Sequence, residues 1–594
     1  MIEAKADILF EASWEVCNKV GGIYTVVKSK ANLMKSLYKE YFLIGPYFED
    51  KAKVDFEPQK PPNDIKEVFD KLKNEGIICH YGTWNITGDP FTILIDFQGA
   101  IGRKDEIKTK LWECHKIDSI YAQWDFEEPL IWAWAASRLI EEIKKKRPKK
   151  KIVAHFHEWL AGSALLHLKM NKAKVGTIFT THATMLGRAI AGSDQDLYGM
   201  LNNMNPEEQA YNYHVQEKFQ TERACAHVAD IFTTVSEITG IEAEKILGKK
   251  PHILVPNGLD IEKFPTIEEI AIKHVTCRDK IREFLTYYFF PHYSFDINHT
   301  MVMFIVGRYE FRNKGLDIFI KALAKLNERL KKEKSKRTIA AIFWIPNEIH
   351  GTKIELLENK NFYRHIKNYV QSHSDDILSR ILYDIVSQKD ISKDKLFTRE
   401  FMLDIKKDIL SFKRTSNPNL VTHNLNDEGN DITIRTLREN GLDNKESDKI
   451  KVIVNPVYLD GNDGLIDLSY YDAMAGCHLG VFPSYYEPWG YTPLESAALA
   501  VPAITSDLAG FGRFIQNKIK NKMDDGIFVL ERFGKNEEDV IKNFSDLLYE
   551  FSQRNHQERT ENKLNAKKLS TLASWSVLIE YYIKAHNSAL EKIK

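Results

Sequence analysis

The sequence predicts an α/β protein built from two Rossmann-like domains in tandem, and two observations support this prediction. Short β-rich runs alternate with amphipathic segments in the first half of the chain, which is typical of parallel sheets covered by helices. The alternation restarts after about residue 275, and 594 residues are too many for one hydrophobic core. We therefore expect a first domain over residues 1–275 and a second over residues 276–570, with ligand sites where strand ends face the cleft between them.

The individual elements follow from this periodicity. In the first domain, strands are predicted at residues 8–10, 41–44, 91–95, 151–155, 175–181, 231–234 and 253–255. Helices are predicted between them at residues 23–37, 130–145, 158–169, 207–228 and 237–246. In the second domain, strands are predicted at residues 301–306, 338–345, 452–454, 479–482, 503–505 and 527–530, with a helix at 316–330.

Three segments of the second half depart from the alternation. Residues 355–413 are polar, helical and poor in strands, and we interpret them as a helical insertion that is either a solvated hairpin or an oligomerisation arm. Residues 416–448 are rich in Asn, Asp and Gly, which indicates a loop. Residues 551–594 are helical, and the last part, 571–594, is expected to pack back on the first domain.

Composition and charge restrict the class of protein. Hydrophobic residues make up 43% and charged residues 28%, as in ordinary soluble proteins, and the net charge is zero. A neutral chain is not a general nucleic-acid binder, although a local basic patch can still hold a phosphate. The six cysteines lie far apart without a Cys-x-x-Cys pair, which indicates a reducing compartment and no thiolate zinc site. The amino terminus does not resemble a signal peptide and no apolar run has membrane-spanning length, so we expect a cytoplasmic protein.

Two glycine-containing loops are candidate anion sites. Lys19, Gly21 and Gly22 follow the first predicted strand and open a helix, where close-approaching backbone amides suit a phosphate or a sugar; a plain tight turn is the alternative. Arg308 and Lys314 leave the end of the predicted strand 301–306 together. Their planar fork and point charge suit a pyrophosphate, and a solvated basic loop is the alternative.

Histidines end two strands of the first domain. His155 and His157 flank the end of one strand, and His182 follows another. Such residues either bind substrate or are packed in the core, and their spacing is not that of metal ligands on one helix face. We interpret the nearby Asp-Gln-Asp triplet at 194–196 as a chance match to a metal-holding motif.

The most informative segment is residues 483–495, which carries two carboxylates, a Trp, three Tyr and three Pro after an apolar strand. Aromatic faces and carboxylates at the mouth of a sheet suit sugar recognition. Thr492 to Glu495 also matches a capping box, with Thr492 as the N-cap, so Glu495 has a structural explanation. Glu487 has no such explanation, and we expect it to meet a ligand. A weaker candidate, 506–512, has small residues that permit close approach to a sugar.

Together these motifs resemble the animal and fungal type of glycogen synthase, a retaining glycosyltransferase of the GT-B fold. The resemblance runs in order along nearly the whole chain, through residues 19–26, 154–162 (AHFHEWLAG), 178–187 (IFTTHATMLG), 232–236, 256–259, 307–315, 476–493 (GCHLGVFPSYYEPWGYTP) and 510–512. It implies transfer of glucose from UDP-glucose to the 4-hydroxyl end of an α-1,4-glucan with retention. The second domain would hold the nucleotide sugar and the first would face the acceptor.

The resemblance also implies roles for single residues. Glu487 and His182 would contact the transferred glucose, while Arg308 and Lys314 would neutralise the diphosphate, so that no metal or other cofactor is expected. The remaining donor-binding residues would be the following: Lys19, Gly21 and Gly22 closing over the donor, Arg188 and Asn257 lining the cleft, Tyr470 on uracil, Glu495 on the ribose, and Trp489, Gly490 and Thr492 beside them.

The resemblance suggests partners and regulation as well. A homotetramer would form through residues 355–413, and a glycogenin-like primer protein is a possible partner. The family's arginine-dense effector helix is diluted here to Arg559, Lys563 and Lys568, so we expect weak or absent activation by glucose-6-phosphate. Two alternatives stay open: a GT-B transferase making a disaccharide or another glucan, and an inactive glucan-binding scaffold. The choice of UDP over ADP follows from the resemblance alone.

Overall fold

The computed structural model describes residues 2–519 and 525–593. Its strands are β1 Ile8–Ala12, β2 Glu40–Pro46, β3 Phe56–Pro58, β4 Ile78–Trp84, β5 Phe91–Asp96, β6 Ile152–His157, β7 Gly176–Thr181, β8 Ile231–Thr234, β9 Ile253–Leu254, β10 Met301–Val306, β11 Ile339–Trp344, β12 Ile349–Thr352, β13 His423–Leu425, β14 Ile450–Asn455, β15 Leu479–Val481, β16 Ala503–Ser506 and β17 Ile527–Leu530.

The strands form two large sheets, one in each predicted domain. The first has the order β3-β4-β5-β2-β1-β6-β7-β8-β9, in which only β3-β4 and β4-β5 pair antiparallel within the described residues. The second, in the order β14-β11-β10-β15-β16-β17, is parallel throughout that part of the chain. Strands β12 and β13 pair separately. The prediction of two Rossmann-like domains is confirmed.

Helices cover both faces of the sheets. They are α1 Gly22–Leu37, α2 Glu49–Asp55, α3 Asn63–Lys73, α4 Lys104–His115, α5 Trp124–Lys146, α6 Glu158–Met170, α7 Met185–Gly192, α8 Leu197–Met200, α9 Pro206–Asn212, α10 Gln216–Val228, α11 Glu237–Ile246, α12 Ile267–Phe289, α13 Leu316–Lys332, α14 Ile354–Ser372, α15 Ser374–Val386, α16 Lys393–Leu396, α17 Arg399–Asp404, α18 Lys406–Phe412, α19 Ile432–Glu439, α20 Tyr470–Gly476, α21 Tyr491–Ala498, α22 Gly510–Gln516, α23 Glu537–Gln553, α24 His556–Ser570 and α25 Trp575–Glu591.

The central strands are apolar on both sides because helices cover both faces. In β10, Met301, Met303 and Ile305 pack into one hydrophobic cluster of the second domain. The alternate residues Val302 and Phe304 pack into the cluster on the opposite face. Since successive side chains of a strand point to opposite faces, an unbroken apolar run is what a doubly covered strand requires.

The sequence-based elements needed three corrections. The antiparallel strands β3 and β4 were not predicted. The helix predicted at 207–228 is two helices, because His214 adopts a left-handed φ of 54° between α9 and α10. The loop predicted at 416–448 contains β13 and α19, and the Asp431 side chain caps α19 by accepting a hydrogen bond from the Ile434 amide.

The ends of the two domains interlock. Residue 275 lies inside α12, and Ile281 and Phe284 of this helix pack with Phe304 in the core of the second domain. The carboxy-terminal helix α25 instead packs on the first sheet, where Ile579 and Tyr582 share a hydrophobic cluster with strand residues of β6 and β7. The chain therefore returns to its first domain at its end.

Most of residues 355–413 fall within five helices, α14 to α18, in agreement with a helical insertion. Among residues 2–519 and 525–593, no helix combines the length and apolar character needed to cross a membrane.

Candidate functional site

The loops that follow β10 and β15 meet at one edge of the second sheet. These strands are parallel neighbours, with Met303 opposite Leu479, so their carboxyl ends lie side by side. The carbonyl of Asn313 accepts hydrogen bonds from the amides of Tyr485 and Tyr486 at 2.9 and 3.3 Å. The two loops that carry the predicted phosphate-binding and sugar-binding residues are therefore joined through their backbones.

Lys314 and Glu487 form an ion pair across these loops, with 2.6 Å between Nζ and Oε2 and side chains 18% and 22% exposed. The next residue, Gly315, permits this approach: its φ is 74°, and a Cβ there would lie 2.3 Å from the carbonyl oxygen of Pro483. A cation and a carboxylate that stay partly open to solvent are thus held together at the strand ends.

Arg308 does not join this pair. Its side chain is 82% exposed, and its guanidinium lies 3.2 Å from the carboxylate of Glu310 in the same loop. The structure therefore brings Lys314 to Glu487, while Arg308 would have to turn away from Glu310 to reach a ligand beside them.

The predicted capping box at 492–495 is wrong. Helix α21 begins at Tyr491 with Gly490 as its N-cap, and no side chain caps it. Gly490 has a φ of 101°, in the region that favours glycine, so the turn after Pro488 sets the N-cap of the helix two residues before Thr492. Glu495 is left free for another role.

Glu495 instead accepts hydrogen bonds from two tyrosine hydroxyls. Tyr470 donates to Oε2 at 2.9 Å and Tyr471 to Oε1 at 3.1 Å, both from the start of α20. Burial raises the pKa of Glu495, although the two hydroxyls act against this. The predicted uracil and ribose residues, Tyr470 and Glu495, are therefore in direct contact.

The Trp489 side chain belongs to the hydrophobic core. Its indole is 4% exposed and packs against the rings of Phe511 and Phe514. The predicted donor contact of Trp489 would therefore be made by its backbone.

On the first domain, an internal carboxylate fills the predicted anion position at the start of α1. Oε2 of Glu15 accepts hydrogen bonds from the amides of Gly21 and Tyr24, both at 2.8 Å. Gly22 opens the helix and Lys19 is exposed. A phosphate at these glycines would have to displace Glu15 or bind beside it.

The loop that carries His182 is held by three buried carboxylates. The amides of residues 182–185 donate to them in succession: those of 182 and 183 to Glu158 at 2.8 and 3.1 Å, that of 184 to Glu242 at 3.2 Å, and that of 185 to Glu222 at 2.9 Å. We name Glu158, Glu222 and Glu242 the carboxylate clamp. A loop with all four amides bonded in this way has little freedom to move.

Arg188 of α7 is an exposed cation that interacts electrostatically with the carboxylate clamp. Partial desolvation of the guanidinium acts to lower its pKa although the residue reaches solvent, but the charges of Glu158, Glu222 and Glu242 raise the pKa overall. Glu158, the first residue of α6, also has a left-handed φ of 62°. Such a conformation costs about 1 kcal/mol or more in a non-glycine residue and is concentrated at functional sites.

Tyrosines of the second domain reach the first domain next to this clamp. The Tyr486 hydroxyl donates to Glu242 at 3.2 Å, and the Tyr485 hydroxyl donates to Asp196 at 2.7 Å. Since Tyr486 precedes Glu487 and Glu242 holds the His182 loop, the two predicted glucose-contacting residues lie on facing walls. Asp196, from the triplet interpreted as a chance match, has a structural role.

Asn257 lies deeper in the first domain. It is 3% exposed, and its side-chain oxygen accepts a hydrogen bond from Tyr582 of α25 at 3.4 Å. The carbonyl of the following Gly258 accepts from Tyr491 of the second domain at 3.3 Å.

Only one group of possible metal ligands is found among the described residues: Glu11, His155 and His157, whose ligand atoms lie within 4.8 Å of one another. All three are buried, and the Glu11 carboxylate is already paired with the ammonium of Lys30. A divalent cation would have to share this carboxylate with Lys30, so the residues present do not suit a metal.

The predicted effector residues are only partly together. Lys563 lies 3.2 Å from Nδ1 of His274, and burial, with Arg278 and Arg559, lowers the pKa of Lys563 to about 7. Lys568 is exposed on another side of α24. The third cation on the face of Arg559 and Lys563 is Lys567, four residues further along, which donates to two backbone carbonyls.

Sequence reasoning missed the carboxylate clamp. Glu158 directly follows the strand-end histidines, which was a usable signal. Glu222 and Glu242 lie within helices α10 and α11, where an isolated glutamate is usually predicted to be exposed. Nothing in the sequence shows that their side chains face the loop after β7.

One member of the clamp makes stability depend on pH. Burial raises the pKa of Glu242 from 4.5 to about 7. Between these values the folded protein keeps a proton that the unfolded chain has released, so the free energy of unfolding falls as pH rises from 4.5 to 7. For Glu242→Gln we expect a weaker pH dependence in this window and a gain above pH 7 of at most about 3 kcal/mol.

Thermal unfolding from pH 5 to pH 8 measures this effect. The exposed Glu244 on the same helix provides the control, since Glu244→Gln should leave the curve of the parent protein unchanged. Parallel curves for Glu242→Gln and the parent protein would contradict the prediction.

Two facing sheets with loops from both walls define the class of protein: this is the GT-B fold of glycosyltransferases. The chain is similar in structure to the catalytic domain of starch synthase IV from Arabidopsis thaliana bound to ADP and acarbose, with a TM-score of 0.50 and 12% identity over 99% of this chain and 100% of that one. This confirms the predicted fold.

The chain belongs to the glycogen synthase family, whose model, described as "Glycogen synthase", matches residues 11–594. It is 36% identical over 588 residues to the liver glycogen [starch] synthase of Rattus norvegicus, covering 98% of this chain and 83% of that protein. It is also 36% identical over 596 residues to the glycogen [starch] synthase of Neurospora crassa, covering 99% and 84%. The resemblance identified from the motifs is therefore confirmed, and the protein is a glycosyltransferase.

Proposed function

We propose that this protein is a glycogen synthase that transfers glucose from UDP-glucose to the non-reducing 4-hydroxyl end of an α-1,4-glucan with retention of configuration. The observation that supports this most directly is the Lys314–Glu487 pair at the strand ends, facing the clamped loop of His182. A cation for a leaving diphosphate and polar groups for a sugar are what this transfer requires.

In the proposed reaction, the bond between the glucose C1 and the diphosphate oxygen breaks and a bond from C1 to the acceptor O4 forms on the same face. Lys314, with Arg308 turned inward from Glu310, neutralises the charge that develops on UDP. The proton of the acceptor hydroxyl passes to the departing phosphate oxygen. Glu487 supports the positively charged sugar electrostatically, and closure of the cleft excludes water that would hydrolyse the donor.

The size of the product tests this proposal against a transferase that makes a disaccharide. With radiolabelled UDP-glucose and glycogen, we expect label in polymer of high molecular weight. Label that appears only in a disaccharide would contradict the proposal, and no transfer at all would favour a glucan-binding scaffold.

We further propose that the protein is a homotetramer joined through the helical insertion. Helix α15 carries large apolar side chains that are exposed in the single chain: Leu378, Leu382, Tyr383, Ile385 and Val386. Side chains such as these on one helix of a soluble protein are typical of an interface with another subunit.

A charge on this helix is expected to separate the subunits. We predict that Val386→Glu lowers the mass in solution from tetramer to dimer or monomer, measured by light scattering after gel filtration. Val54 is the matched control, since both valines are 73% exposed and Val54 lies on α2 in the first domain. An unchanged mass for Val386→Glu, or the same change for Val54→Glu, would argue against this interface.

The basic residues Arg559 and Lys563 of α24 support the expectation of weak or absent activation by glucose-6-phosphate. Because the pKa of Lys563 is about 7, its ammonium is only partly charged at neutral pH, and lysine lacks the two-pronged fork of arginine. We expect equal rates with and without glucose-6-phosphate at pH 7.5. A stimulation of about tenfold or more, which corresponds to about 1.4 kcal/mol of coupling, would overturn this expectation.

We also propose a primer protein as a partner and a cytoplasmic location. A glycogenin-like primer protein would supply the first acceptor, and a reducing, cytoplasmic location fits the six cysteines, all of which are free thiols. Incorporation of radiolabelled glucose, measured with and without preformed glycogen, tests the requirement for a primer. Incorporation only in the presence of glycogen would show that a primer is needed, and incorporation without glycogen would show that it is not.

A further inference from the structure

A buried chain of polar side chains leads from α1 to His182. Lys30 on α1 pairs with Glu11 of β1, and both side chains are completely buried. Nε2 of His157 lies 2.7 Å from Oε1 of Glu11, and Nδ1 of His157 lies 2.9 Å from Nε2 of His182. Tyr41 donates to the second oxygen of Glu11 at 2.5 Å.

The parallel sheet places these groups in line. Strands β1, β6 and β7 are neighbours, with Glu11 opposite His155 and His157 opposite Thr180. His155 and His157 are two residues apart and point to the same face of β6. His182 is the first residue beyond the end of β7, so it lies next to His157 at the edge that faces the second domain.

The charge states of Glu11 and His157 determine which nitrogen of the His157 ring donates a hydrogen bond and which one accepts. Burial alone would raise the pKa of Glu11, but the Lys30 ammonium and the hydrogen bond from His157 hold it well below its usual value. The ionised carboxylate can only accept, so Nε2 of His157 carries a proton. Burial lowers the pKa of His157 despite the attraction of Glu11, so the ring is neutral and its Nδ1 is an acceptor.

His182 is the last member of the chain. Since Nδ1 of His157 accepts, Nε2 of His182 must donate. Four titratable or charged groups face His182: His157 on β6, Lys30 on α1, Arg188 on α7 and Glu11 on β1. Burial has the largest effect and lowers the pKa of His182. The first three groups lower it further, and together they outweigh Glu11, so the pKa lies well below its usual value. Its ring is therefore neutral, and within the part of the chain that the structure describes its side chain makes one hydrogen bond, through Nε2, which leaves Nδ1 available to a ligand.

We propose that Glu11 and His157 are positioning residues that hold His182 as the Nε2–H tautomer, so that its Nδ1 accepts a hydrogen bond from a hydroxyl of the donor sugar. The identity of the sugar rests on the proposed function, whereas the tautomer does not. The site then requires a hydroxyl that can donate at this position. A fluorine in its place cannot donate, and the donor analogue carrying it should lose about tenfold in kcat/KM.

Nitrogen-15 NMR of histidine-labelled protein without substrate tests the tautomer directly, with His182→Ala used to assign the signal. We expect the Nε2–H form of His182 in the parent protein at pH 7. In His157→Phe, which keeps the ring but removes both nitrogens, we expect a mixture of tautomers and a fall of about tenfold in kcat/KM. His157→Asn can place its carbonyl oxygen near the former Nδ1 and should restore much of both.

The matched control is His155→Phe, since His155 is equally buried on the same face of β6 but contacts Thr180 and His586 instead of His182. It should leave the His182 signal in the Nε2–H form, which also shows that the fold is kept. A Nδ1–H tautomer or a charged ring in the parent protein overturns the proposal, as does an Nε2–H signal unchanged in His157→Phe. If the parent protein transfers no glucose but His182 has the expected tautomer, the proposed function fails and the positioning chain stands.

Discussion

Glu487→Gln is expected to lower kcat by about a hundredfold or more, with a smaller effect on KM. The substitution keeps the size of the side chain and removes its charge, so it takes away the electrostatic support of a positively charged transferred sugar. It also weakens the ion pair with Lys314, whose Nζ lies 2.6 Å from the carboxylate. Loss of one preorganised electrostatic contact in an active site reduces kcat by about 10²–10³.

A second ion pair of the same domain provides the control. Lys353 and Glu428 are 2.9 Å apart, and their side chains are 17% and 29% exposed, close to the values for Lys314 and Glu487. Initial rates at saturating donor should therefore be unchanged for Glu428→Gln. Turnover by Glu487→Gln equal to that of the parent protein would remove Glu487 from the mechanism.

Glu158→Ala is expected to lower both stability and activity. It leaves the buried amides of residues 182 and 183 without their acceptor and removes one of the carboxylates around Arg188. An unsatisfied buried donor costs about 1–3 kcal/mol, so we expect a loss of about 2–4 kcal/mol in the free energy of unfolding. The released loop would displace His182, and kcat/KM should fall by about a hundredfold, as for misplaced catalytic groups.

The variant Glu217→Ala is the control that shows the general consequence of removing a buried glutamate. Glu158 and Glu217 are both 6% exposed, but Glu217 interacts with its own backbone amide on α10 instead of the His182 loop. Thermal unfolding and kcat/KM should both change less in Glu217→Ala. Equal losses in the two variants would show that the clamp has no special role.

Much of the fold was predictable because its signals are local. The apolar runs of β8, β10 and β17 were predicted with the residues that the structure shows, since doubly covered strands read as unbroken hydrophobic segments. The edge strand β3 was missed because it has three residues, and its neighbour β4 was missed because its mixed polar and apolar residues lack that signal. The break at His214 was missed because one left-handed residue leaves the helical pattern on both sides intact.

The site was predicted where its residues leave strand ends and missed where its residues act across the fold. Lys314, Glu487 and His182 each follow a predicted strand, and parallel pairing brings such ends together. The clamp carboxylates Glu222 and Glu242 come from helices, and only tertiary packing turns them towards the amides of the loop. The capping box failed for a related reason: the left-handed Gly490 starts α21 early, which no propensity of Thr492 reveals.

Release of the nucleotide diphosphate with glycogen as acceptor, compared for UDP-glucose and ADP-glucose, tests the central claim most directly. The account predicts rapid UDP release that depends on glycogen, little release from ADP-glucose, and loss of the UDP signal in Glu487→Gln. Release that does not require glycogen, or a clear preference for ADP-glucose, would contradict it.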